Sequence, residues 1–219
     1  LVCGARAAPG EGASPASARL TANALKLARW AAASGDTRGL PFVIIDKSAA
    51  QAYVLEPNGR VRGATPVLLG LAHGDQSVPG IGERPMAQIR PEERTTPAGR
   101  FIAEPGRNLQ GEDILWVDYD AAVSMHRVRA THPTERRLER LASPTAGDNR
   151  ISYGCINVPA AFYDHVLVPA LKTFGKGRAV VYVLPETKSL GEVFGAYGLP
   201  EDDGQASTQG RPPQVSSGR

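Results

Sequence analysis

From Pro41 onward the chain alternates short apolar runs with clusters of turn-forming residues, and the run lengths decide the elements. Phe42-Val43-Ile44-Ile45-Asp46 and Ala52-Tyr53-Val54-Leu55 are too short for helices and rich in β-branched and aromatic side chains, so they predict strands. Pro57-Asn58-Gly59, between Leu55 and Val61, predicts the turn of a hairpin, and Thr65 to Leu71 a third strand, giving an antiparallel meander. The stretch from Gly70 to Pro91 is crowded with Gly and Pro and predicts a long loop. Phe101-Ile102-Ala103, Ile114 to Tyr119, Ala121 to His126 and Ala179 to Leu184 predict further strands.

Helical spacing interrupts this pattern three times. Leu20, Ala24, Leu27, Ala28 and Ala31 form one face of a helix over Arg19 to Ala33, with Gly35 as its stop. Pro159 opens a second, with Phe162, Val166, Leu167, Ala170, Leu171 and Phe174 on its apolar face and Pro169 expected to kink it. A short third, from Pro133 or Thr134 to Leu141, lies in a segment carrying Arg127, Arg129, Arg136, Arg137, Arg140 and Arg150, which reads as an insert over residues 127–150. The expected fold is α+β and mainly β: an antiparallel sandwich or barrel with a helix after the Cys155 turn. Residues 1–18 read as a signal remnant and linker, 19–40 as a helix and connector, 41–185 as the main domain. Residues 186–219 read as a C-terminal tail, largely disordered, because Gly, Ser, Gln and Pro dominate its end without an apolar pattern.

Composition narrows the class. The 219 residues carry 25 Lys+Arg against 22 Asp+Glu, a net charge of +3. These charges are mixed along the chain, whereas a nucleic-acid surface needs them concentrated, so no nucleic acid is expected as partner. Leu1 to Ala8 resembles the end of a secretory signal with an Ala-x-Ala site at Ala5 to Ala7. Cys3 would leave with that signal or be a lipid-modified N-terminal cysteine. An exported, periplasmic or cell-envelope protein is therefore expected, without a membrane span, since no apolar run reaches the ~18 residues required. A monomer is expected.

Cys155 then stands as a single thiol in an exported domain. It lies in Ser152-Tyr153-Gly154-Cys155-Ile156-Asn157-Val158-Pro159, a glycine-bearing turn just ahead of the helix opened by Pro159. A helix N-terminus would lower the thiol pKa and favour the nucleophilic thiolate. The plainer alternative is a buried cysteine packed like Ala or Val. A nucleophile needs a base, and of His73, His126, His132 and His165 the best placed is His126, which closes a strand of alternating pattern and is therefore held rigidly. No His/Cys/Asp cluster shows zinc spacing, so neither metal nor organic cofactor is expected.

With Thr96-Pro97-Ala98-Gly99-Arg100-Phe101 upstream and a strand ending at His126, the Ser152 to Asn157 motif resembles the catalytic domain of the L,D-transpeptidases, the YkuD-type family. The likeness spans about Pro41 to Leu184. It implies Cys155 as nucleophile, His126 as base oriented by a backbone carbonyl such as that of Arg127, and an oxyanion hole from the N–H groups of Tyr153, Gly154 and Cys155. Ser152 and Asn157 would shape the turn. The implied activity is acyl transfer on peptidoglycan tetrapeptide stems through a thioester. A carboxypeptidase or amidase using the same pair and a non-catalytic exported cell-wall binding protein are the alternatives. Two departures stand out: Tyr153 replaces the family's histidine before Gly-Cys, and the spacing from His126 to Cys155 is longer than usual. The insert is then either a lid whose Arg136 and Arg137, with Arg150, grip acidic substrate groups, or a solvated helix whose Glu135 and Glu139 offset its arginines.

Overall fold

Strands that read as unbroken apolar runs should be buried on both faces, and that is where they lie. The computed structural model describes residues 19–200; the expected signal remnant with Cys3, the linker and the tail from residue 201 fall outside the described residues. Among the described residues ten strands form: β1 (Phe42–Asp46), β2 (Gln51–Leu55), β3 (Val61–Pro66), β4 (Leu69–Gly70), β5 (Gly99–Arg107), β6 (Asp113–Asp118), β7 (Val123–Arg127), β8 (Arg150–Ser152), β9 (Ile156–Val158) and β10 (Ala179–Val183). Eight make one sheet in the order β3-β2-β1-β10-β5-β6-β7-β9, and β4 pairs with β8 beside it. The two edges of the large sheet nearly meet, because Leu68, just past β3, exchanges both backbone hydrogen bonds with Asn157 of β9 at 2.9 Å. The fold is α+β and mainly β, with an almost closed, barrel-like sheet.

Alternation along β1 divides the core. Val43 and Ile45 face inward with Val54, Ala103, Leu115, Met125, Ile156 and Val181, whereas Phe42 and Ile44 face an outer layer with Tyr53, Leu55, Val180 and Tyr182. The outer layer is roofed by α1 (Ala22–Ser34), which presents Ala24, Leu27, Ala28 and Ala31 to the sheet. Thr21 caps this helix by accepting the Ala24 N–H at 3.2 Å, and Gly35 ends it at φ +71°. Inner apolar side chains are closed off by the helical segment α3 (Ala160–Phe162), a π-turn at Tyr163–Leu167 and α4 (Val168–Phe174), through Phe162, Leu167, Ala170 and Leu171. The expected break at Pro169 takes this form: proline gives no N–H to the preceding turn, and the helix widens to the five-residue spacing just before it.

The structure revises several expectations. Not every pairing is antiparallel: β1/β10, β7/β9 and β4/β8 run parallel. A parallel neighbour cannot be reached by a hairpin and needs a crossover of a dozen or more residues. Residues 128–149 form the crossover that lets β9 lie alongside β7, with α2 (Arg137–Ala142) at its middle. The third predicted strand divides between the end of β3 and β4, with Val67 and Leu68 between them, and the Gly70 to Pro91 loop contains two short 3₁₀ turns, with a third at Pro91–Glu93 at its end. Residues 186–200 are not a disordered tail. They carry α5 (Leu190–Phe194), opened by a Ser189/Glu192 capping box, and bury Leu190, Phe194 and Leu199 against α1 and the outer sheet face.

Candidate active site

Parallel register and the two-residue period of strands gather four polar side chains on one face. β7 and β9 pair Met125 with Ile156 and His126 with Asn157. Met125 and Ile156 point into the core, fully buried, so Ser124, His126, Cys155 and Asn157 project from the opposite face. Cys155 Sγ lies 3.6 Å from Ser124 Oγ and 3.7 Å from the Ala122 carbonyl oxygen. Burial works to raise the thiol pKa, but hydrogen bonding to His126, the attraction of a charged imidazole and the Ser124 contacts outweigh it, and the thiol falls below its ordinary value. For His126 burial works downward, while the Cys155 hydrogen bond and charge and the Arg127 carbonyl lift its pKa above the ordinary value, with Arg137 opposing. Both shifts run in the direction that eases proton transfer from thiol to imidazole, and Arg137 opposes it at the histidine.

Hydrogen bonds fix the histidine's tautomer. Asn157 Oδ1 accepts from Arg137 Nη1 at 2.7 Å. A guanidinium only donates, so the amide nitrogen of Asn157 is turned the other way, to His126 Nε2 at 3.1 Å. Nε2 is then the acceptor, and Nδ1 carries the hydrogen that it donates to the Arg127 carbonyl at 2.8 Å.

The turn before Cys155 is equally determined. Ser152 Oγ donates to the Cys155 carbonyl at 2.6 Å and accepts the Gly154 N–H at 3.1 Å. Gly154 sits at φ +128°, and a Cβ there would stand 2.9 Å from the Thr95 carbonyl oxygen. Only glycine meets both demands. From the Thr96 to Phe101 motif, Thr96 Oγ1 donates to the Gly154 carbonyl at 2.8 Å and accepts the Gly70 N–H at 2.9 Å.

Against this geometry the sequence-based assignments divide. His126 and Cys155 come together, and Ser152 shapes the turn. Cys155 does not stand at a helix N-terminus: β9 follows it directly and α3 begins only at Ala160, so its lowered pKa comes from His126 and Ser124 instead of a helix dipole. Asn157 is a partner of the histidine rather than a turn residue. The Gly154 N–H is already engaged by Ser152, which removes it from the expected oxyanion donors. Arg150, expected to grip substrate, is buried and holds Glu186 and the Lys47 carbonyl, in a cluster where Lys47 Nζ meets Asp75 at 2.8 Å and Glu186 at 3.5 Å. Arg136 is exposed and pairs with Glu139 along its own helix. Arg137 binds Glu135 at 2.6 Å and reaches the site through Asn157. Tyr153 lies under Arg94, whose guanidinium carbon is 3.9 Å from the ring centroid. His73, His132 and His165 are exposed. Ser124 was missed, although its position two residues before His126 places it on the same strand face.

Fold and site together define a mainly β protein with a paired thiol and imidazole. No protein-family profile matches the chain, and no curated protein matches it in sequence. Among solved structures it is similar to an L,D-transpeptidase C442S mutant from Enterococcus faecium, at 18% identity and a TM-score of 0.35, over 66% of this chain and 49% of that one. It is also similar to an L,D-transpeptidase from Mycobacterium smegmatis, at 15% identity and 0.37, over 66% and 58%. The helical cell shape determining protein Pgp2 from Campylobacter jejuni matches at 13% identity and 0.42, over 74% and 56%. The chain thus spans about half the length of these proteins. Likenesses this distant transfer neither activity nor substrate.

Proposed function

We propose that the protein is a cysteine-dependent L,D-transpeptidase of the bacterial cell envelope, exported and acting on tetrapeptide stems of peptidoglycan. The observation that carries this reading is the gathering of Ser124, His126, Cys155 and Asn157 on one face of the parallel β7/β9 pair, where the thiol pKa is lowered and the imidazole pKa raised, each by the other. The resemblance of the Ser152 to Asn157 motif to that of the L,D-transpeptidases supports the substrate class. Cys155 Sγ attacks the carbonyl on the L-centre of the stem's diamino acid as its proton passes to His126 Nε2. The backbone N–H groups of Tyr153 and Cys155 receive the developing oxyanion. The carbon–nitrogen bond to the terminal D-alanine then breaks, and His126 returns the proton to that amine. An acceptor amine attacks the thioester, His126 takes its proton, and the thiol is restored.

Intact-mass spectrometry tests the reading. Wild type given a tetrapeptide muropeptide is expected to gain the mass of the stem less D-alanine, and Cys155→Ala to gain nothing. A folded, reduced wild type that stays unmodified would overturn the proposal. The products of the same incubation separate cross-linking, which yields joined stems, from hydrolysis, which yields free tripeptide.

A further inference from the structure

The crossover between β7 and β9 does more than connect them. Its helix α2 begins with Arg137, whose side chain is mostly buried and spans from Glu135 to Asn157. Asn157 in turn contacts the one nitrogen of His126 that is free to accept a proton, since Nδ1 is committed to the Arg127 carbonyl. A charged histidine would carry a hydrogen on Nε2, facing the amide hydrogens of Asn157. The amide cannot turn to offer its oxygen instead, because that oxygen is held by a group with nothing but hydrogens to give.

We propose that Arg137 is a positioning residue: through Asn157 it keeps the basic nitrogen of His126 an acceptor, and so makes the crossover segment part of the acid–base apparatus. It does not touch the reacting thiol. Its task is to oppose premature proton transfer within a couple whose other contacts favour the ion pair, so that the imidazole remains a base until substrate engages. The device is specific to the geometry of this crossover. Shifting α2 withdraws Arg137, frees Asn157 to turn, and lets its oxygen accept from a charged histidine.

Few other charges face the ring. Cys155 lies on the β9 side; Glu135 is paired with Arg137 and reduces its field. The Arg127 guanidinium turns away to Asp113 at 3.1 Å and Asp164 at 2.5 Å. Removal of Arg137 therefore acts mainly through the amide and its own charge.

The inference rests on His126 being the base of the proposed reaction, but its test needs no cell-wall substrate, so the two can fail separately. Nitrogen-15 NMR of the full chain in a Cys155→Ala background lets His126 titrate without its coupled thiol. Arg137→Met keeps the apolar stem and removes charge and donors. The His126 midpoint is expected to rise by about 0.5 to 1 unit as the charge is lost, and the clear preference for the Nδ1–H tautomer to be lost. Arg137→Lys, which keeps a charge and a donor, should restore both. Arg129→Gln, the same charge change elsewhere on the crossover, should leave both as they were. Asn157→Asp retains the Arg137 contact but offers the ring an acceptor, and should raise the midpoint at least as far. An unchanged midpoint and tautomer in Arg137→Met, or equal shifts in Arg137→Met and Arg129→Gln, overturn the proposal. If Arg137→Met does not fold, Asn157→Asp decides, and no rise there overturns it.

Discussion

Gly154→Ala is the sharpest single perturbation of the site, because its cost follows from two independent features of one residue. At φ +128° a non-glycine residue occupies a part of the backbone map that costs about 1–3 kcal/mol. The new Cβ would lie 2.9 Å from the Thr95 carbonyl oxygen, closer than such atoms tolerate, and backbone on both sides would have to give. Overpacking of this kind costs about 1–3 kcal/mol. Together the substitution should destabilise the protein by about 2–6 kcal/mol, which for a chain of this size lowers Tm by roughly 5–20 °C. Relief comes by moving the turn off Thr95, and that withdraws the Gly154 carbonyl from Thr96 Oγ1 and Cys155 from Ser124 and His126. Iodoacetamide alkylation of Cys155 at pH 7 should therefore slow together with the loss in Tm. Gly147→Ala serves as the control, since a Cβ there meets nothing within 4 Å, and it should change Tm by less than about 2 °C. A Gly154→Ala protein that melts with wild type and alkylates at the same rate would refute the reasoning.

Two further outcomes are expected away from the thiol. In the cluster under Arg150, burial works to raise the carboxylates of Asp75 and Glu186. The Lys47 and Thr187 hydrogen bonds on Asp75, and the Gly74 N–H with Arg150 and Lys47 on Glu186, nevertheless hold both below the ordinary range. Their stabilisation is complete above the unfolded-state pKa of about 4 and is lost as pH falls below it toward the folded values, so near-UV circular dichroism should show acid unfolding starting below about pH 4, with Asp75→Asn flattening that limb. Phe194→Ala removes a fully buried ring from the layer between α5 and the sheet and should cost about 3–5 kcal/mol in urea denaturation; a midpoint equal to wild type would return residues 186–200 to the status of a dispensable tail.

Much of this architecture was legible in the chain, for identifiable reasons. β1, β2 and β10 are short β-branched runs bounded by turn residues, and local pattern suffices for such strands. What the pattern could not carry was direction. Whether β9 runs with or against β7 depends on where the segment between them travels, and that segment was read as an insert when it is the crossover. The same gap hid the role of Asn157, whose partners His126 and Arg137 are distant in sequence and adjacent only through parallel register. Nor could the structural partners of Arg150 be read locally, since a charged residue beside a reactive motif invites a substrate-binding role. Its buried partners come from Lys47 and Glu186, far along the chain in both directions. Ser189 and Glu192, by contrast, spelled out a capping box that the Gly- and Ser-rich residues beyond it obscured.

The parallel pairing of β7 with β9 also sets when the thiol becomes dangerous. The main contacts that lower the Cys155 pKa come from His126 and Ser124, across a closure that spans the whole crossover. An incompletely folded chain therefore carries Cys155 as an ordinary thiol of pKa about 8.5, mostly protonated and a sluggish nucleophile. Closing that loop carries an entropic cost that the β7/β9 contacts must repay before the pairing holds. The chain thus keeps the reactivity of its cysteine withheld until β7 and β9 have paired.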